Sequence, residues 1–564
     1  MRWLCLSVAL LSHQLTAVHG KSVFANFLVG NAPGYATSDW VDDFTKAQDA
    51  HIDGFAMSIA HGDGTNKGSL QAAFHVALSV GFTLFLTFDN VASGPWPAED
   101  VIDYVNEFKT SPAYFHYNGD PLVSTFGDQI VTATDWPDVI EQTSIFFVPA
   151  WPGLGAQQAM DTGLPDGLLS WFAWPEGAND KFTTIDASYV AALKGQPYMM
   201  PVSPWFFTNL PGYDKNWLWR GDDLWYDRWV QIWTMAPEFV QIISWNNYGE
   251  SHHIGPIRNI SLGAFDLGGA PYNYAADMPH DGWRLLLPYV IDVYKNGGRA
   301  TISQEGLVTW FRPQPATACK TGGTVGNQPD SSQCLYRPES LVQDKIFYTA
   351  LLGSNADIAV SVGGRDQQAK WTSTPDGGVG LWHGSVAYRG TGNVSVTVTR
   401  AGAQVAQVVG GHISTDCTDG IENWNAWVGA STSPKAVSVP APSYLETMSC
   451  KSGRGLLDYD ALCSFSCRFN YCPPYQCTCR EVGVPVAPPP SLGLRGCPAA
   501  GYNITSLGLC DFGCSHGFCP PMCVRYNATE RSCSPPPLGD VTYLGPPQYS
   551  PVVWSQESNG GGQK

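Results

Sequence analysis

Eight short apolar runs punctuate the first half of the chain: Val23–Val29, Ile52–Ile59, Thr83–Asp89, Pro121–Phe126, Ile145–Ala150, Gly167–Trp174, Tyr198–Trp205 and Val240–Trp245. Each is short for a buried helix and too uniformly apolar for a strand with one wet face. Each therefore reads as a strand covered on both sides. Amphipathic stretches of helical period lie between several of them, among them Asp39–His51, Gly68–Val80, Ala98–Lys109 and Leu224–Met235. Parallel strands need such crossovers, because a tight turn can join only antiparallel neighbours. Eight strands alternating with helices predict an α/β fold, a (β/α)8 barrel over residues 21–315.

In a barrel of this kind the chemistry sits at the C-terminal ends of the strands. Asp89 closes the third run, Trp151 follows the fifth, and Trp174, Trp205 and Trp245 close the sixth, seventh and eighth. Packing alone would favour Val, Ile or Leu there. Repeated Trp and Asp predict a rim of flat apolar rings beside acids, which suits the C–H faces of sugars. Composition agrees, with 21 Trp, 12% aromatic and only 14% charged residues, against roughly 25% charged in an average soluble protein. A net charge of −18 argues against nucleic acid and anionic membranes, which need a basic face. A neutral polysaccharide is compatible with it.

Residues 1–20 carry Arg2, an apolar run from Leu4 to Leu11 and small residues at Val18 and Gly20, the pattern of a signal peptide. No later stretch is long and apolar enough to span a bilayer. A secreted location accounts for the cysteines. Apart from Cys5 there are 15, of which 12 fall between Cys450 and Cys533, a density that predicts a disulfide framework. A Cys319–Cys334 pair closing a loop off the barrel would leave Cys417 as the odd thiol. Four N-x-S/T sites, at Asn259, Asn393, Asn503 and Asn527, agree with secretion.

Residues 340–445 alternate β-branched and polar positions in Ile358–Val362, Val379–Tyr388 and Val394–Val398, which predicts a small β-sandwich. A cysteine repeat follows. Leu462-Cys463-x-Phe465-x-Cys467-x4-Cys472-Pro-Pro recurs as Leu509-Cys510-x-Phe512-x-Cys514-x4-Cys519-Pro-Pro. The two copies, residues 450–482 and 497–536, flank a Pro-rich linker at 483–496, which should act as a semi-rigid spacer. Modules this small bury no deep pocket, so they suit binding better than catalysis. Residues 537–564 read as a disordered tail.

Sugar hydrolysis needs two carboxyls, one to protonate the leaving oxygen and one to activate water or attack. Glu250, in Ser244-Trp-Asn-Asn247-Tyr248-Gly-Glu250-Ser-His252-His253 just past the eighth run, is the best candidate acid. Neighbouring Trp245 and Tyr248 would raise its pKa by desolvation. Asp53, Asp89, Asp222 and Asp223 are further acids, and one of the last two is an expected helix cap. No metal motif and no complete dinucleotide or phosphate loop is found, so no cofactor or metal is expected. The G-x-S-x-G match at Gly513–Gly517 falls inside a cysteine repeat rather than on a strand–turn–helix and is set aside.

Several stretches together resemble glycoside hydrolase family 71, the fungal endo-α-1,3-glucanases or mutanases. They are Ile52–Ala56, Phe88-Asp89 with Gly94–Pro97, Val123–Phe126, Tyr198–Phe207, Asn216–Trp229, Ser244–Pro256 and Pro279–Trp283, in order. The cysteine repeats are similar to short modules of fungal cell-wall enzymes such as family 24 carbohydrate-binding modules. The resemblance implies an inverting (β/α)8-barrel enzyme whose partner is α-1,3-glucan, and a secreted monomer is expected. It places the catalytic pair at Asn247 and Glu250. Asp53, Asp89, Trp174, Trp205, Asp223, Trp245, Tyr248 and His252 are the expected substrate contacts. The family pattern W-N-D-Y-G-E-S-H-Y reads W-N-N-Y-G-E-S-H-H here, so Asn247 stands where the resemblance places an Asp and His253 where it places a Tyr. An amide cannot take a proton from water, and losing a general base costs about 10²–10⁴-fold. Asp89, Asp223 or His253 could substitute, or the domain could bind glucan without cutting it. A wall-structural protein with a vestigial barrel is the third reading.

Overall fold

A computed structural model describes residues 20–127, 135–329, 333–502 and 506–527. The expected signal peptide and C-terminal tail lie outside the described residues. Among the described residues no helix is long and apolar enough to cross a membrane.

The first 300 residues contain eight strand–helix units. The parallel strands are β1 Ser22–Leu28, β2 Gly54–Ala60, β3 Thr83–Asp89, β4 Asp120–Phe126, β5 Phe146–Ala150, β6 Leu168–Leu169, β7 Tyr198–Val202 and, after a β-hairpin formed by β8 Phe207–Leu210 and β9 Lys215–Leu218, β10 Phe239–Ile242. The helices that follow them are α1 Thr37–Asp49, α2 Asn66–Val80, α3 Ala98–Phe108, α4 Trp136–Thr143, α5 Gly155–Asp161, α6 Thr184–Leu193, α7 Leu224–Met235 and α8 Leu287–Lys295. The strands lie in the order β5–β4–β3–β2–β1–β10–β7–β6. The row curls strongly. Phe24 of β1 meets Phe85 of β3 with ring centroids 4.9 Å apart, although β2 separates them in the sheet. The two ends approach as well, since the amides of Asp166 and Gly167, just ahead of β6, donate to the Phe147 carbonyl of β5 at 2.9 and 3.2 Å. Alternate side chains point the other way: Phe55 and Phe27 stack between the sheet and the α1 rings of Phe44 and Trp40.

A two-layer β unit rests on this body. One sheet runs β14 Gly380–Ala387, β12 Lys345–Leu352, β11 Thr301–Phe311, β17 Trp427–Pro440; the other runs β13 Asp357–Val362, β15 Gly392–Arg400, β16 Ala403–Ile413. The period of two in β11 explains its double duty. Leu307 and Phe311 enter the core between the sheets, while Val308 and Trp310 join the core of the first body. The β unit thus begins at Thr301, ahead of the region that the sequence pattern marks for it.

In the cysteine-rich region β18 Cys450–Gly455 pairs with β19 Cys477–Val482, and β20 Leu494–Pro498 with β21 Cys523–Asn527, around helices α9 Asp460–Cys467 and α10 Leu507–Ser515. Equivalent disulfides staple both copies, Cys463–Cys477 with Cys467–Cys472 and Cys510–Cys523 with Cys514–Cys519. The copies touch. Phe465 stacks on Phe518 at 4.9 Å, and Phe512 stacks on Tyr471 at 4.4 Å. The first copy is also seated on the strand–helix body: the Thr183 amide donates to Thr478 Oγ1 at 2.9 Å, and Arg480 reaches Asp227 at 2.9 Å and Asp180 at 3.3 Å. The cysteine expectation outside the repeats is corrected. Cys319 pairs with Cys417, and among the described residues Cys334 is the exposed free thiol, because the chain around Gly420 returns alongside Lys320, whose amide donates to the Gly420 carbonyl.

Candidate active site

The site is built on the loop after β10. Its ends are clamped by the Ser244 amide on the His252 carbonyl and the Ile254 amide on the Ser244 carbonyl, both at 2.9 Å. The side chain of Asn246 grips the end of β1, accepting from the Leu28 amide at 2.8 Å and donating to the Leu28 carbonyl at 3.0 Å. The loop is therefore fixed to the C-terminal mouth of the sheet, and Glu250 projects from it with only 18% of its side chain exposed.

Three donors converge on the Glu250 carboxylate. Lys215 Nζ lies 2.9 Å from Oε1, while His252 Nε2 and Asn247 Nδ2 lie 2.9 and 2.6 Å from Oε2. Ser244 Oγ sits 2.9 Å from His252 Nδ1 and accepts the Asn247 amide at 3.0 Å, so one hydroxyl orients both partners. With Nε2–H donating to the carboxylate, Nδ1 accepts from Ser244. Burial raises the pKa of Glu250, but the Lys215 charge and the hydrogen bond from His252 outweigh it and hold the carboxyl well below its usual range. This corrects the expectation of a desolvated, protonated acid: the neighbours that matter are the two basic groups, and Tyr248 and Trp245 face elsewhere.

Asp89, the last residue of β3, is pushed the other way. Burial raises its pKa against the amides of Val91 and Ala92, which donate to Oδ1 at 2.8 and 3.1 Å. Lys215 and Glu250 both act on it electrostatically. The mouth thus holds two carboxyls with opposite tendencies around one lysine. Trp174, expected at the rim, is buried: its ring lies 5.6 Å from that of His252 and stacks on Trp219 at 4.8 Å.

The other expected contacts lie elsewhere. Asp53 precedes β2, at the opposite end of the sheet, where it accepts the Val23 amide and pairs with Lys295 at 2.5 Å. Trp205 and Trp245 are buried, because β7 and β10 end three residues before them and the loops fold inward. Trp205 donates to the Trp424 carbonyl and lies under Arg312, and Trp245 packs on Phe55. Gly221 is required beside Trp205, since a Cβ there would collide with the indole. Tyr248 is buried, donating to the Pro256 carbonyl. Asp223 precedes α7 and pairs with His383 of β14 at 2.8 Å, where Lys345 of β12 and Arg480 of the cysteine-rich region also lower its pKa against burial. His253 is fully buried against His280 at 4.0 Å, and burial holds it neutral; a base with no access to water is no substitute. Sequence reasoning missed Lys215, Ser244 and Trp219. Lys215 comes from the hairpin inserted between β7 and α7, and it is the one basic residue between Phe206 and Trp219.

The profile of glycosyl hydrolase family 71 matches residues 19–440. A glucan endo-1,3-alpha-glucosidase of Schizosaccharomyces pombe is 33% identical over 427 residues, covering 72% of this chain and 94% of that protein. A mutanase of Penicillium rubens is 35% identical over 354 residues, covering 61% and 75%. An ascus wall endo-1,3-alpha-glucanase of S. pombe is 29% identical over 298 residues, covering 50% and 68%.

Proposed function

The chain belongs to glycosyl hydrolase family 71, and on that premise we propose that it hydrolyses α-1,3-linked glucan of fungal cell walls on a (β/α)8 barrel, cutting within the polymer and inverting the anomeric carbon. The observation that carries this reading is the Glu250 carboxylate, gripped by Lys215, His252 and Asn247 at the mouth of the sheet. Inversion needs one carboxyl to take a proton from water and another to give one to the leaving oxygen. Two acids whose surroundings push their pKa values apart fit those roles. Glu250, held ionised, takes the proton of the attacking water. Asp89, raised by burial, donates to the leaving oxygen as the C1–O bond breaks. This reverses the role that the sequence suggested for Glu250. His252 and Asn247 position Glu250 as donors. The disulfides support secretion, and the chain acts as a monomer.

A second reading, a glucan binder without turnover, is favoured by one observation. The amide of Asn247 sits 2.6 Å from Glu250 where the family pattern carries an acid. Reducing-end release from insoluble α-1,3-glucan decides between them. Release by the native chain that is lost in Glu250→Gln supports the hydrolase. Retention on the glucan without release, with activity gained in Asn247→Asp, sinks it in favour of the binder.

A further inference from the structure

Trp171 stands two residues beyond β6 with φ 62°, the left-handed region that a bulky residue adopts at a cost. A turn holds it there, the Ala173 amide donating to the Trp171 carbonyl at 2.9 Å. The indole reaches over to the last residue of β4, Phe126, with centroids 4.3 Å apart. The strand between them, β5, ends in Ala150, which pairs in register with Phe126 and is small enough to let the rings meet. Both aromatic residues are half-buried. Among the described residues the Trp171 indole N–H makes no hydrogen bond, unlike that of Trp174, which donates to the Trp205 carbonyl at 2.9 Å. Phe126 lies directly beside Asp89 in the sheet register.

The ring pair is strained and half-open, and it lies next to the carboxyl that transfers a proton in the proposed reaction. Building on the glucanase reading, we infer that Trp171, backed by Phe126, is the platform on which a glucosyl unit next to the scissile bond stacks. Its flat face meets the sugar's C–H face and its N–H donates to a hydroxyl. It then contributes binding without taking part in proton transfer.

The test uses the full secreted chain carrying Glu250→Gln, so that oligosaccharide binds without turnover. Calorimetric titration with an α-1,3-linked glucohexaose compares this parent with added Trp171→Ala or Trp171→Phe. Loss of a stacked indole should weaken binding about tenfold in the alanine variant, with the phenylalanine variant keeping most of the affinity. Urea midpoints of both should match the parent, which separates a lost platform from a damaged fold. Equal affinity of parent and Trp171→Ala overturns the platform and leaves the glucanase reading intact. A parent that binds no α-1,3-linked oligosaccharide overturns both.

Discussion

Two of this protein's clusters of buried acids and bases resemble each other in composition but differ in how open their cations are. At the seam between the strand–helix body, the β unit and the cysteine-rich region, Asp222 pairs with Arg312 at 2.8 Å and Arg220 at 3.1 Å, Asp223 with His383, and Asp227 with Arg480. Asp222 and Arg312 are 1% and 4% exposed. At the mouth, Glu250 pairs with a Lys215 that is 41% exposed. The seam joins charges from three parts of the chain; it closes over Asp222 and Arg312 and leaves Asp223 and Arg480 each 20% exposed. The mouth gathers its groups from neighbouring loops and leaves them reachable. Perturbed acids near strand ends are therefore common to both, and what sets the mouth apart is its open cation, Lys215, beside a carboxylate on a loop at the end of the sheet.

The largest expected contrast is catalytic. Glu250→Gln should lower glucan hydrolysis by about 10²–10⁴-fold while leaving the urea midpoint unchanged, and comparable rates in both proteins would erase the distinction drawn here. Next comes the seam. Arg480→Ala leaves the buried Asp227 without its ion-pair partner, while Asp180 keeps Arg220 at 3.2 Å, and should destabilise by roughly 3 kcal/mol. Urea unfolding would register this, with turnover at low temperature unchanged. Asn247→Asp sets a second carboxyl against Glu250 and should raise its pKa by about one unit or more. Because the ionised form is then lost at a higher pH, the acidic limb of the pH–rate profile moves up. Lys215→Met moves that limb in the same direction by less, since salt and water already screen the exposed ammonium. A limb that shifts down in either variant contradicts the pairing described at the mouth.

The strand–helix alternation was legible because its cause is local. β3 spans Thr83–Asp89 and α7 spans Leu224–Met235, as their periodicity implies. Glu250 was legible as a carboxyl beside a turn glycine past an apolar run. What hid was long-range. The tryptophans at 205 and 245 have the composition of a rim, yet the loops carrying them turn inward, and nothing in the neighbouring residues specifies that turn. Lys215 becomes a partner of Glu250 only through a hairpin that returns across the mouth. Cys319 and Cys417 are 98 residues apart, and only the paired course of two loops brings them together.

The stacking in the cysteine-rich region has a consequence of its own. Phe465 and Phe512 are equivalent positions of the two repeats, as are Tyr471 and Phe518, and each phenylalanine rests on the other repeat's partner ring. That is the geometry of a self-complementary, two-fold contact. Duplication has turned what would be a homodimer of separate domains into a neighbour relation within one chain. The connecting prolines then ensure a permanently high local concentration rather than separation.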